Sequence, residues 1–357
     1  MGARKIKCLV WDLDNTLWHG ILSEDREVLL REGVAAIVKT LDERGILQSI
    51  ASRNNHDMAM AKLKQFGLDE FFLYPQIGWD SKSVAVENIR SLINISRESM
   101  AFIDDQPFER EEVNFQHPEV LCIDSVEMDS LLGMAEFNPL FITADSKNRR
   151  QLYRNDIIRN HIEEKFAGSN EEFLSSLGLE LTVAAVREDD LKRAEELTVR
   201  THQLNATGYT YSYEELDQFR LSPQHLLFMS DLKDKYGSYG KIGLTLLEMD
   251  ENVWTLKLLL MSCRVMSRGI GSVLLNYVAA LAKDAGVTLR AEFVPTEYNR
   301  MMKFTYLFAG FKELERYGDL IILEHDKAQL QNPPAYMSLI SESPFLPHDQ
   351  VQRDADV

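Results

Sequence analysis

Through the first 125 residues, short apolar runs that end in polar groups alternate with stretches whose apolar positions recur every three or four residues. Cys8, Leu9, Val10 and Trp11 form a run short enough for a buried strand. Val34, Ile37, Val38 and Leu41 fall at i, i+3, i+4 and i+7, one face of a helix, and Gly45 stops it. Residues 46 to 51 predict a second strand, running into Ser52-Arg53-Asn54-Asn55. Ala59, Leu63 and Phe66 mark a helix ended by Gly67, and Ala85, Ile89, Leu92 and Ile93 mark another that opens just after Lys82-Ser83. Residues 100 to 103 predict a third strand, ending in Asp104-Asp105, and residues 120 to 123 a fourth. Strands that alternate with helices imply a doubly wound parallel sheet.

The rhythm changes after residue 180. Residues 181 to 186 read as a strand, followed by a helix that begins near Asp189-Asp190. Residues 225 to 230, 241 to 248 and 253 to 262 then read as consecutive strands of an antiparallel meander. Arg268-Gly269-Ile270-Gly271 follows, and a helix that buries Ile270, Val273, Leu274, Tyr277, Val278 and Leu281. A strand at 287 to 294, a helix and Gly310-Phe311 complete the series. The expected division is 1–145, a helical connector at 146–178, a second domain at 179–326 and a mobile tail at 327–357, which carries Asn332-Pro333-Pro334. The connector holds Arg149, Arg150, Arg154, Arg159 and Lys165. These suit either a docking patch for an acidic partner or an ordinary solvated helix.

Composition narrows the partners. The chain has 357 residues, enough for two ordinary domains, and a net charge of -17, which disfavours nucleic acid and anionic membrane. Anionic small substrates stay possible where local cations or a metal receive them. The cysteines Cys8, Cys122 and Cys263 are widely spaced and offer no disulfide framework. No apolar signal region and no run of membrane-spanning length is visible, so the expectation is a cytoplasmic protein.

The strand ends carry the chemistry. In an open parallel sheet the ligand crevice lies beyond the carboxyl ends of the strands, where Asp12 and Asp14, Ser52, and Asp104 and Asp105 would converge. Any one of these groups alone would serve as a turn or helix cap. Together they suit phosphoryl chemistry. Asp12 is placed to attack phosphorus, and Asp14 to protonate the leaving oxygen and then activate water. Asp104 and Asp105 add hard oxygen ligands for Mg²⁺, Ser52 a hydrogen bond to a phosphoryl oxygen, and Lys82 a compact cation. Farther on, a glycine turn before a helix presents backbone N–H groups to an anion, although a tight turn has the same requirement. Cys263 lies beside Arg264 and Arg268, cations that favour a thiolate, with His202 a candidate base. A structural thiol and a locally packed histidine are the plain alternatives.

Asp12-Leu13-Asp14-Asn15-Thr16, Ser52, Lys82 and Asp104-Asp105 resemble the four motifs of the haloacid dehalogenase (HAD) superfamily, with no insertion large enough for a substantial cap. That resemblance implies Asp12 as nucleophile, Asp14 as acid/base, and Mg²⁺ on the motif carboxylates Asp12, Asp14, Asp104 and Asp105. Thr16, Ser52, Arg53 and Asn54 fall to the substrate. The order of elements after residue 180 resembles the GNAT acyltransferase fold, whose glycine turn, here Gly269 and Gly271 with Arg264 and Arg268, holds a pyrophosphate or a phosphopantetheine arm. Met266 departs from the usual Gln or Arg before that turn, which disfavours coenzyme A and suits a carrier arm with a single phosphate. Trp11 to Gly20, Trp79-Asp80-Ser81-Lys82-Ser83, Phe102 to Pro107, Arg200 to Asn205 and Met261 to Val265 are together similar to the FkbH-like family. The fold class is thus α/β, a HAD-like Rossmannoid sheet with minimal cap followed by a GNAT-like α+β domain. The family implies a glyceryl transferase/phosphatase that uses 1,3-bisphosphoglycerate, a phosphorylated three-carbon acyl substrate, and an acyl carrier protein for polyketide-type biosynthesis. A stand-alone Mg²⁺ phosphatase with a degenerate partner domain and a non-catalytic carrier adaptor are the other readings.

Overall fold

A computed structural model describes residues 5–25 and 27–342. The chain forms two compact units, divided between Arg154 and Asn155. In the first, β1 (Cys8–Trp11) is followed by the two-residue strands β2 (Trp18–His19) and β3 (Leu29–Leu30), then α1 (Val34–Glu43), β4 (Leu47–Arg53) and α2 (His56–Gln65). Next come β5 (Gln76–Gly78), α3 (Lys82–Ile93), β6 (Met100–Asp104), α4 (Pro107–Gln116), β7 (Leu121–Asp124) and the single turn α5 (Ala144–Lys147). Five of these strands make a parallel sheet in the order β5-β4-β1-β6-β7. Its central strand is apolar on both faces because helices cover both, and Cys8 to Trp11 are all buried. The Trp11 indole donates to Gln48 Oε1 at 3.1 Å and Gln48 Nε2 donates to the Val38 carbonyl at 2.8 Å, so the polar atoms of that core are satisfied. Between β1 and α1 the described residues add only the β2–β3 hairpin, the minimal cap expected.

Helix α6 (Arg149–Lys165) contains the division. The second unit continues with α7 (Asn170–Leu177), β8 (Leu179–Ala185), α8 (Leu191–Arg200), α9 (Tyr213–Leu221), β9 (His225–Asp234), β10 (Gly237–Met249) and β11 (Val253–Met261). It ends with α10 (Ile270–Asp284), β12 (Thr288–Phe293), α11 (Arg300–Phe308), β13 (Phe311–Tyr317), β14 (Leu320–His325) and β15 (Met337–Glu342). All eight strands form one mixed sheet, ordered β13-β14-β12-β11-β10-β9-β8-β15. Strands β9 to β11 are the predicted antiparallel meander, and β8 pairs antiparallel to β9. Apolar cores lie on both faces, one under α10 and one under α8 and α9. The fold class expected from the sequence is therefore observed.

Strands β11 and β12 pair only from Val253↔Thr288 to Leu256↔Ala291 and then separate. The loop segment Leu204 to Ala206 enters the fork. Met261 N–H donates to the Leu204 carbonyl at 2.9 Å, Ala206 N–H to Leu259 at 3.0 Å, and Val294 N–H to Ala206 at 3.1 Å. Asn299 Nδ2 donates to the Asn205 and Val294 carbonyls at 3.0 and 2.9 Å, closing the remaining backbone acceptors.

One expectation is corrected, and one of the two readings of the connector is set aside. Met337–Glu342 is no mobile tail: it pairs parallel to β8 as an edge strand, whereas residues 343–357 lie outside the described residues. The connector arginines are not a free docking patch either. Arg149 donates to the Gly45 carbonyl at 2.7 Å, Arg150 pairs with Asp42 at 2.9 Å, and Arg159, fully buried, pairs with Asp234 at 2.8 Å.

Candidate active site

The site of the first unit is assembled at the carboxyl ends of β1, β4 and β6. Asp12 follows β1 directly, with its N–H bonded to the Ile103 carbonyl at 3.0 Å. Lys82 is the first residue of α3, whose N-cap is Ser81, and it is 2% exposed. Its ammonium bonds to Asp12 and donates to the Ala51 carbonyl at 2.8 Å and to Asp104 Oδ2 at 3.1 Å. A further carboxylate, Glu109 in the first turn of α4, pairs with the same ammonium at 3.1 Å. Nothing in the sequence marks Glu109, because an acid in a first helical turn is ordinary dipole complementarity. Only the packing of α4 beside α3 brings it to Lys82.

Asp12, Asp104 and Asp105 each offer a carboxylate oxygen, all within 4.8 Å of one another. Burial raises all three pKa values. Asp104 is pushed up to about 7 by burial and then by Asp12, against the pull of Lys82. Asp12 and Asp105 move in the same direction, for Asp105 with help from the Asp12 charge. Burial alone would lower the Lys82 pKa, but Asp12, Asp104 and Glu109 outweigh it and raise it. One buried cation thus faces an excess of buried carboxylates. Crowded, partly desolvated oxygens with raised pKa values are what a hard divalent cation relieves, so this donor set fits Mg²⁺.

Asp14 stands apart from that cluster. Its carboxylate accepts from Trp18 Nε1 at 2.7 Å, Leu22 N–H at 3.1 Å and Asn54 Nδ2 at 3.0 Å, which fix its position with neutral donors. Thr16 is fully buried and engaged with Asp105: its hydroxyl accepts the Asp105 N–H at 3.0 Å. It therefore positions a carboxylate. Asn54, 3% exposed, orients Asp14. Ser52 lines a pocket with Gln76, Ile77, Gly78, Asp80 and Lys82. Arg53 reaches Glu109 at 3.1 Å and Glu112 at 3.6 Å on the partly open side.

The glycine turn of the second unit is built differently. Cys263 opens the turn after β11, and none of the three cysteines forms a disulfide. The Leu204–Met261 hydrogen bond draws the stretch that carries the exposed His202 to the end of the strand leading to Cys263. Arg264 donates to the Tyr239 carbonyl at 2.6 Å and faces Asp156 at 3.7 Å. Arg268, 3% exposed, pairs with Glu163 at 2.9 Å and lies over the Phe173 ring. Arg159 makes a bidentate pair with Asp234, bonds Asp156 at 2.9 Å and stacks on Tyr239 at 3.7 Å. Gly269 has a φ of +74°, and a Cβ there would lie 2.6 Å from the Tyr336 hydroxyl. Gly271 is kept small by Thr305 Cγ2 and Met261 Cε, 2.8 and 2.9 Å from an added Cβ. Both arginines expected at a substrate phosphate are thus turned into the unit.

No protein-family profile and no curated protein matches the chain. Among solved structures it is similar to the N-terminal part of a Bacteroides fragilis protein containing a phosphatase domain complexed with Mg, at 28% identity over 34% of this chain and with a TM-score of 0.32. The match spans 36% of that other chain, about a third of its length. It is also similar to the PaiA N-acetyltransferase of Thermoplasma acidophilum in complex with coenzyme A, at 18% identity over 41% of this chain and 98% of that one, TM-score 0.33. A third likeness is to the GNAT domain of S. lividans PAT, at 17% identity over 40% of this chain and 89% of that one, TM-score 0.33. No helix among the described residues is long and apolar enough to cross a membrane.

Proposed function

We propose that the chain is a bifunctional enzyme, a Mg²⁺-dependent phosphomonoesterase in its first unit and an acyltransferase in its second. Its substrate would be 1,3-bisphosphoglycerate and its acceptor an acyl carrier protein. The observation that carries the phosphatase half is the buried Lys82 shared by Asp12, Asp104 and Glu109, with Asp105 beside them at the carboxyl edge of a parallel sheet. An Asp12 oxygen attacks phosphorus as the ester P–O bond breaks. The leaving oxygen takes a proton from Asp14, which Trp18, Leu22 and Asn54 hold in place. Asp14 then removes a proton from water, whose oxygen attacks the aspartyl-phosphate and releases inorganic phosphate and the Asp12 carboxylate. Lys82 offsets negative charge on the phosphoryl oxygens throughout. Mg²⁺ on Asp12, Asp104 and Asp105 supplies further charge neutralisation when bound.

For the second unit, Cys263, in the turn after β11, receives the C1 acyl group as a thioester, with C1 phosphate as leaving group, before a carrier thiol takes the acyl group over. Intact-mass measurement tests both halves. Enzyme given 1,3-bisphosphoglycerate without carrier is expected to gain a hydroxylamine-labile adduct that Cys263→Ala abolishes. Adding carrier is expected to move a dephosphorylated glyceryl group onto it. Undiminished carrier loading by Cys263→Ala would make the transfer direct. No carrier loading under any condition would remove the transferase half. One observation favours a stand-alone phosphatase with a degenerate second unit: Arg264 and Arg268 are committed to internal acids and Tyr336 covers Gly269. That reading predicts phosphate release without any adduct.

A further inference from the structure

Helix α11 (Arg300–Phe308) buries only Met302 and Tyr306, one turn apart, although six of its nine residues are large and apolar. Met301, Phe304 and Phe308 are 52, 40 and 74% exposed and fall at i, i+3 and i+7, a continuous stripe. Phe304 and Phe308 stack on one another with centroids 6.5 Å apart, and the Arg300 guanidinium lies 5.8 Å from the Phe304 ring. The helix has two cations, Arg300 and Lys303, and no acid, in a chain with 56 acidic and 39 basic residues. Acids lie outside it, Glu297 before the helix and Glu313, which feels the Lys303 charge, in β13. An exposed aromatic stripe flanked by cations marks an interaction surface rather than an ordinary solvated helix.

Its place in the fold bears on the occupant. Thr305, on the same helix, packs against Gly271 and so against the first turn of α10 and the end of β11. The stripe therefore borders the glycine turn and the strand that leads to Cys263. We propose that this face of α11 docks a small acidic protein that delivers its cargo on a flexible, thiol-ended arm. This rests on the transferase reading above. An acidic partner is repelled by most of a surface with a net charge of -17 and is steered to an exposed helix that joins two cations to aromatic anchors and carries no acid of its own. The connector arginines, the other basic run, are already paired inside the units.

The test uses the full chain and, as probe, a purified acyl carrier protein in its pantetheine-armed form, labelled away from the arm. Binding is followed by fluorescence anisotropy at low and high salt. The Arg300→Glu/Lys303→Glu and Phe304→Ala/Phe308→Ala variants are expected to bind at least tenfold more weakly, the charge variant losing its deficit at high salt. Arg300→Lys with Lys303→Arg is expected to bind like the wild type, and all variants to release phosphate from a small phosphomonoester at the wild-type rate. Equal carrier binding by all variants would overturn the docking surface and leave the transferase reading standing. A wild-type chain that binds no carrier would overturn the docking surface. If it also fails to load one, the transferase reading falls with it. A wild-type dimer dissociated by Phe304→Ala/Phe308→Ala, with carrier binding unchanged, would assign the face to a second copy instead.

Discussion

The two units treat buried charge in opposite ways. At the edge of the parallel sheet, the buried Lys82, joined only at Glu109 by the part-exposed Arg53, faces Asp12, Asp104, Asp105 and Glu109, so the cluster is short of positive charge. Around the glycine turn, Arg159, Arg264 and Arg268 face Asp156, Glu163 and Asp234, three against three. A buried cluster with an excess of carboxylates invites a cation. A balanced one fixes backbone geometry and leaves little net charge for a ligand.

The largest expected effect breaks the unbalanced side. Asp12→Asn removes the carboxylate proposed to attack phosphorus with almost no change in shape, and phosphate release is expected to fall at least about a thousandfold with an unaltered unfolding curve. Full release by that variant would end the assignment. On the balanced side, Arg159→Ala strands the fully buried Asp234. The unfolding transition of the second unit is expected to lose about 3–5 kcal/mol in urea titration, since a buried charge without its partner is costly. Arg159→Met with Asp234→Leu should recover part of that.

A smaller, reversible effect sharpens the comparison. Folding raises the Asp104 pKa from its ordinary value to about 7, so between those limits the folded state holds more protons than the unfolded one. Metal-free protein should therefore lose stability as pH rises through that window and level off above it. Mg²⁺ should restore the loss at the alkaline end, where it meets no competing protons. A metal-free melting temperature that rises across the same window would contradict the charge excess. The smallest effect concerns the turn: Gly269→Ala should cost about 1–2 kcal/mol, from the positive φ and the clash with Tyr336, and Tyr336→Ala should relieve only the clash.

The parallel sheet was legible because period and punctuation agree there. Apolar runs end in Asp12, Ser52 and Asp104, and each falls at a strand's carboxyl end in the structure. Thr16, by contrast, is the right residue in another role, since its hydroxyl serves Asp105 and its spacing gave no sign of that. Glu109 was missed because its importance comes from α4 lying against α3. The fates of Arg264 and Arg268 were hidden for the same reason: their partners Asp156 and Glu163 are about a hundred residues away, and local pattern carries no long-range pairing. Strand β15 was misread because Asn332-Pro333-Pro334 advertises a tail, whereas the six residues after Tyr336 need only an open edge beside β8 to become a strand.

That last pairing gives the two units different schedules during synthesis. Every strand of the first unit's sheet has been synthesised by residue 124, so that sheet can form while most of the second unit is still being translated. Strand β8, made early in the second unit, waits until residues 337 to 342 emerge before its outer edge is covered. Throughout that interval the nascent chain presents an unpaired strand of alternating buried residues, Leu179, Leu181 and Val183, to its neighbours. Stalling or truncation late in the message should thus yield aggregates that retain a folded first unit.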